Sequence, residues 1–98
     1  MVFGVLCDKD WRGMLEVLGP LVSRIILTRP ENPRAADPHA LLGADRYCVK
    51  TDVHPAVPDA LAAAAATGED VILVTGSLFT VGAALQAFRL NPSDALRI

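Results

Sequence analysis

The chain has 98 residues, 52% of them hydrophobic and 20% charged, with a formal net charge of −2. That length fits one small domain able to bury a core, and the composition excludes an intrinsically disordered chain. Lys and Arg are scattered rather than clustered, so the basic stripe that nucleic acid or an anionic membrane would require is missing.

Val2 to Cys7 is a continuous apolar run, the pattern of a strand buried on both faces. It ends abruptly in Asp8-Lys9-Asp10. Trp11, Met14, Leu15 and Leu18, then Leu21 and Val22, follow the spacing of one helix face, with Asp10 as N-cap and Gly19-Pro20 at the end or a kink. Ile25 to Thr28 predicts a second buried strand. A proline-rich connection follows, holding a short helix from Pro38 to Leu42 capped by Asp37 and closed by Gly43.

Arg46 to Val49 reads as a third, weaker strand. A helix is expected from about Pro55 to Thr67, with Pro55 and Pro58 confined to its first turn and Gly68 at its C-terminus. Its alanine core is strongly helix-forming and small enough to lie close on a sheet. Val71 to Val74 is the cleanest strand pattern. A last helix from Leu78 or Phe79 is expected to bury Val81, Leu85 and Phe88.

This alternation predicts an α/β, Rossmann-like three-layer domain, with a mostly parallel sheet of about four strands and helices on both faces. Ligands of such sheets bind beyond the carboxyl ends of the strands. Asp8 to Asp10, Arg29 to Arg34 and Gly76-Ser77 therefore share one rim. Cys7 and Cys48, each within an apolar run and without metal-ligand spacing, read as core thiols of a reduced, cytoplasmic protein. No apolar run approaches the ~20 residues that span a bilayer.

On that rim each motif has a bland and a functional reading. Lys9 either sits in a solvated turn, paired with a neighbouring carboxylate, or faces an anionic ligand beside an adjacent aspartate. Gly76-Ser77 either starts a helix capped by Ser77 or Thr80, or also offers its backbone N–H groups to an anion. The loop is neither a Walker A sequence nor a dinucleotide fingerprint. Arg34 lies in a loop stiffened by Pro30, Pro33 and Pro38. His39 and His54, both beside proline at expected helix starts, read as caps or surface residues, and no catalytic triad is legible.

Four segments in order carry a resemblance that spans nearly the whole chain: "VFGVLCDKDWRGMLEVL" (2–18), "ILTRPENPRAAD" (26–37), the alanine-rich helix after "VHPAVPDAL" (53–61) and "VILVTGSLFTVG" (71–82). Together they resemble the C-terminal domain of the folylpolyglutamate synthase/dihydrofolate synthase branch of the Mur ligases. The resemblance implies an ATP-dependent ligase of folate biosynthesis and one-carbon metabolism. Such an enzyme activates a folate or pteroate carboxylate as an acyl phosphate, and the glutamate amine then attacks it. The C-terminal domain helps bind the incoming glutamate and closes the active site. By that resemblance Lys9 would neutralise a glutamate carboxylate with Asp8 beside it, Ser77 and Phe79 would border the same amino acid, and Arg34 would lie near the rim.

No residue here is expected to be catalytic and none to ligate a metal. The P-loop, the magnesium ligands and the Asp-Gly-Ala-His-Asn strand that opens this domain in the family are not in the sequence. ATP and magnesium are accordingly expected mainly outside these residues, with none bound by this chain alone. The expected organisation is one domain, 1–98, as a fragment lacking its first strand and the ATP-binding central domain, inactive alone and prone to self-association. The alternatives are a free-standing α/β binding module for a small anion or partner protein, and the C-terminal domain of a peptidoglycan Mur ligase.

Overall fold

The computed structural model describes residues 1–44, 50–69 and 71–88. Its elements are β1 (Val2–Phe3), α1 (Trp11–Leu18), β2 (Arg24–Arg29), β3 (Lys50–Ala56), α2 (Val57–Ala65), β4 (Val74–Thr75) and α3 (Leu78–Ala87). Short 3-10 helices cover Gly19–Leu21 and Pro38–Ala44. Among the described residues the strands form one sheet in the order β3-β2-β1-β4, and every pairing is parallel.

The best-formed strand is β2, where Ile25, Ile26, Leu27 and Thr28 are all buried. A strand buried on both faces needs this unbroken apolar run, because successive side chains point to opposite sides. Ile26 and Val2 enter one core with Val57, Ala60, Leu61 and Ala64 of α2 and Ala84 of α3. Ile25, Leu27 and Phe3 enter the other with Leu15 of α1, Ala36 and Leu41. Helices thus cover both faces, and burying a side chain such as Phe3 or Leu15 contributes about 1.5–3 kcal/mol each.

Helix α1 starts as its sequence implies, with the Asp10 carboxylate accepting from the Gly13 amide at 3.1 Å. Of its apolar stripe Leu15 is buried, Trp11, Met14 and Leu18 are half-buried, and Leu21 is exposed.

Several expectations are corrected. Strand β1 ends at Phe3 instead of Cys7, because the chain leaves the parallel ladder after Gly4, and Leu6 bridges Ala35 antiparallel. Cys7 is consequently exposed at the rim and is not a core thiol. The strand predicted at Arg46–Val49 lies, with Cys48, outside the described residues.

The described third strand is Lys50–Ala56, so α2 begins at Val57 and not at Pro55. Pro55 holds His54 extended and prolongs the strand, while Pro58 occupies the first turn of α2. At its other end α2 stops at Ala65, short of Thr67. Strand β4 covers only Val74–Thr75, since it is an edge with one neighbour, and Val71 is 84% exposed. Helix α3 buries Thr80 and Ala84; Val81 and Leu85 are half-buried, and Phe88 is exposed beyond the last turn. An edge strand offers α3 too little sheet to cover the stripe the sequence suggested.

Candidate functional site at the carboxyl rim

Because the strands are parallel, the segments leaving β1, β2 and β4 emerge at the same end of the sheet. The structure does more than place them on one rim. Past Phe3, the Gly4 amide donates to the Thr75 carbonyl at 3.2 Å. The Ala36 amide donates to Val5 at 2.8 Å, and the Cys7 amide to Arg34 at 2.7 Å. The exit of β1 is therefore stitched to the loop after β2 by main-chain bonds.

That stitching brings Asp8 to Arg34, whose Nη2 donates to the Asp8 carboxylate. Both side chains are about half exposed. The Asn32 side-chain oxygen accepts from the Arg34 amide at 2.8 Å and shapes the loop that presents the guanidinium. Lys9, next to Asp8, is exposed, and among the described residues its ammonium has no ion-pair partner. The aspartate beside Lys9 thus pairs with Arg34, not with the lysine.

On the other side, Ser77 is the N-cap of α3 and accepts from the Thr80 amide at 3.1 Å. Thr80 is fully buried, and its hydroxyl donates to the Gly4 carbonyl at 2.7 Å. A threonine hydroxyl has one hydrogen and a carbonyl only accepts, so the 3.0 Å Ser77–Thr80 hydroxyl contact is donated by Ser77.

Two glycines make this approach feasible. Gly76 has φ +115°, and a Cβ there would run into the Gly4 carbonyl. A Cβ on Gly4 would lie 2.8 Å from the Thr80 hydroxyl oxygen and 3.0 Å from the Thr28 carbonyl oxygen.

Phe79 is half exposed on the first turn of α3 and borders a groove of about 580 Å³ with Arg29, Glu31, Val57, Pro58 and Gln86. Lys9, Asp8, Arg34 and Ser77 do not line that groove. Asp8 is joined to Arg34, Ser77 is joined to β1 through Thr80, and Phe79 faces the neighbouring groove. His39 is exposed, its amide bonded to the Asp37 carboxylate at 3.0 Å, while His54 is half-buried on β3, three residues before α2 begins.

The Gly4–Thr80 tie was missed by sequence reasoning. Its one signal was a glycine inside an otherwise apolar strand, a mark of close backbone approach. Among the described residues no group of three or more His, Cys, Asp or Glu side chains converges as a metal-ion cluster.

A parallel α/β sheet with polar loops gathered at its carboxyl end has the layout at which folds of this class bind ligands. The family model "Mur ligase, glutamate ligase domain" matches residues 1–78, and the chain belongs to that family. The dihydrofolate synthase/folylpolyglutamate synthase of Mycobacterium tuberculosis is 34% identical over 109 residues, covering 93% of this chain and 22% of that protein. A probable bifunctional folylpolyglutamate synthase/dihydropteroate synthase of Halobacterium salinarum is 38% identical over 89 residues, covering 85% of this chain and 11% of that protein.

Among solved structures, Mycobacterium tuberculosis folylpolyglutamate synthase complexed with ADP superposes with a TM-score of 0.83 at 31% identity. That match covers 93% of this chain and 23% of the other. The chain thus spans less than a quarter of the length of its Mycobacterium tuberculosis relative. Among the described residues no helix is long and apolar enough to cross a membrane.

Proposed function

We propose that residues 1–98 act as the C-terminal, glutamate-side domain of an ATP-dependent ligase that adds glutamate to folate or dihydropteroate. In such a reaction the folate carboxylate is activated as an acyl phosphate. The glutamate amine attacks the acyl carbon, phosphate leaves with the electrons of the carbon–oxygen bond, and the nitrogen gives up a proton as the amide forms. On this reading the nucleotide and magnesium belong to the rest of a longer protein, a central domain and a further strand included.

The residues of this chain do the binding. Lys9 meets a carboxylate of the incoming glutamate, and the Asp8–Arg34 pair braces the loop that carries it. Ser77 borders the same amino acid, with Phe79 on the flank toward the adjoining groove. The observation that carries the reading is an exposed lysine without an ion-pair partner among the described residues, on a loop tied on both sides at the carboxyl rim. An ammonium so placed suits neutralisation of an anion, and a hydrogen bond to a charged group contributes about 1.5–3 kcal/mol.

The test replaces the matching segment of the Mycobacterium tuberculosis synthase with residues 1–98 and follows folate- and glutamate-dependent ADP formation. Lys9→Ala should raise KM for glutamate about tenfold or more while KM for ATP stays put. Residues 1–98 alone should form no product. An unchanged glutamate KM in Lys9→Ala would remove Lys9 from the site, and turnover by the isolated chain would overturn the division of labour.

A further inference from the structure

Ser77 and Lys9 lie on segments 68 positions apart in sequence, and one buried side chain connects those segments. Thr80 is 0% exposed, and every polar atom of its side chain and its amide is committed to the rim. The amide donates to Ser77 Oγ at 3.1 Å, the hydroxyl oxygen accepts from Ser77, and the hydroxyl hydrogen goes to the Gly4 carbonyl at 2.7 Å. Gly4 is where β1 leaves the parallel ladder for the loop that carries Asp8 and Lys9. The hydroxyls of Ser77 and Thr80 and the carbonyl of Gly4 thus form one continuous chain of hydrogen bonds, each link polarising the next.

We infer that Thr80 is the positioning residue of the glutamate site, its hydroxyl holding the Ser77 turn and the Lys9 loop in one fixed relation. This rests on the reading above and adds a residue that touches no substrate. A helix N-cap alone does not require it, because Ser77 already caps α3 through the Thr80 amide, which any residue but proline supplies. The hydroxyl has no part in that cap and is spent on the Gly4 carbonyl and on Ser77. Gly4 and Gly76 agree with this role: both lack the side chain that would force the two segments apart.

The test uses the 98-residue chain, 15N-labelled, titrated with L-glutamate and observed by NMR, with melting followed in parallel. In the wild type the amides of Lys9 and Ser77 should shift along a single isotherm. Thr80→Ser retains the hydroxyl and should bind glutamate within about twofold of wild type, whatever its melting temperature. Thr80→Val should shift both the 4–9 and 76–77 amides, leave those of Ile25 and Ala60 in place, and weaken glutamate about fivefold or more. Thr80→Ala removes the same hydroxyl without setting a methyl against the Gly4 carbonyl, and it decides the matter should the valine variant not fold.

A hydroxyl-free variant that binds glutamate like wild type overturns the role of Thr80 and leaves the glutamate reading standing. Failure of Thr80→Ser to rescue binding also overturns it, since a merely space-filling role would then suffice. A wild-type chain in which neither Lys9 nor Ser77 responds to glutamate, or a Lys9→Ala chain that binds as wild type does, overturns the reading itself.

Discussion

The two ends of the sheet are built differently. At the carboxyl end, side chains from distant segments are bonded to one another: Arg34 to Asp8, and Ser77 through Thr80 to Gly4. At the amino end an open groove of about 350 Å³ is bordered by Met1, Leu18, Leu21, Val22 and Val71, and Leu21 and Val71 are largely exposed. Among the described residues the polar ties there include the Met1 ammonium on the Arg24 carbonyl at 2.7 Å, the Ser23 hydroxyl on Glu69 at 3.1 Å and the part-exposed Arg24–Asp52 ion pair at 3.1 Å. None of them runs through a fully buried side chain as the Thr80 link does. Strand direction explains half of this, since it sends the three polar loops to one rim. The other half is the pair of glycines, which let those loops touch instead of merely sharing an edge.

Gly76→Ala should have the largest effect on the contrast. It forces a side chain into left-handed backbone and against the Gly4 carbonyl, so urea unfolding should show a loss of about 3 kcal/mol or more. A loss below about 1 kcal/mol would mean the two segments separate easily and the rim is loosely held.

The Asp8–Arg34 pair should matter much less to stability. Both partners are well exposed, so a double-mutant cycle with alanine at each position should give a coupling of about 0.2–1 kcal/mol, shrinking as salt is added. A coupling that ignores salt would argue that the pair is more enclosed than its exposure implies.

The smallest effect belongs to the amino end. Burial lowers the pKa of the Met1 ammonium from its ordinary 8.0, with Glu69 opposing and Arg24 adding to the shift. The unfolded chain then binds this proton more tightly than the folded one. Stability should therefore rise slightly as pH increases through the interval between the lowered value and 8.0, and fall back below it. Chemical denaturation from pH 6 to 9, with and without N-terminal acetylation, checks both sign and origin. A rise that survives acetylation would place its cause elsewhere.

Legibility in the sequence followed how local each determinant is. Helix α1 was readable because its stripe and its cap, Asp10, lie within a few residues of each other. Strand β2 was readable because burial on both faces demands an uninterrupted apolar run, and Ile25 to Thr28 supply it. Strand β1 was read too long because its apolar run continues past Gly4, where the chain exchanges parallel partners for Ala35 and Ala36. Nothing within residues 2–7 announces that exchange. Strand β3 went unread because Lys-Thr-Asp-Val-His-Pro-Ala has no apolar run, and pairing with β2 makes it a strand.

The site shows the same division. Strand direction alone put Lys9, Arg34 and Ser77 on the carboxyl rim where the structure has them, and family resemblance selected Lys9 from among them. The Asp8–Arg34 pair spans 26 positions and the Thr80–Gly4 bond 76, so no window of sequence holds both partners of either, and Gly4 within its apolar run is the one local trace. Phe79 was grouped with Ser77 by the family resemblance. On a helix they are two positions apart and face different ways.

The strand order also dictates an order of assembly. Among the described residues strand β4 touches the sheet only through β1, so its docking must close a loop of some seventy residues onto a two-residue ladder. Contacts of such long sequence separation repay their closure entropy late, after β1, β2 and β3 can offer a surface to dock on. The Gly76-Ser77 turn follows β4 directly and is set with it. The rim that is the most elaborately tied part of the finished molecule is thus expected to be the last part of it to form.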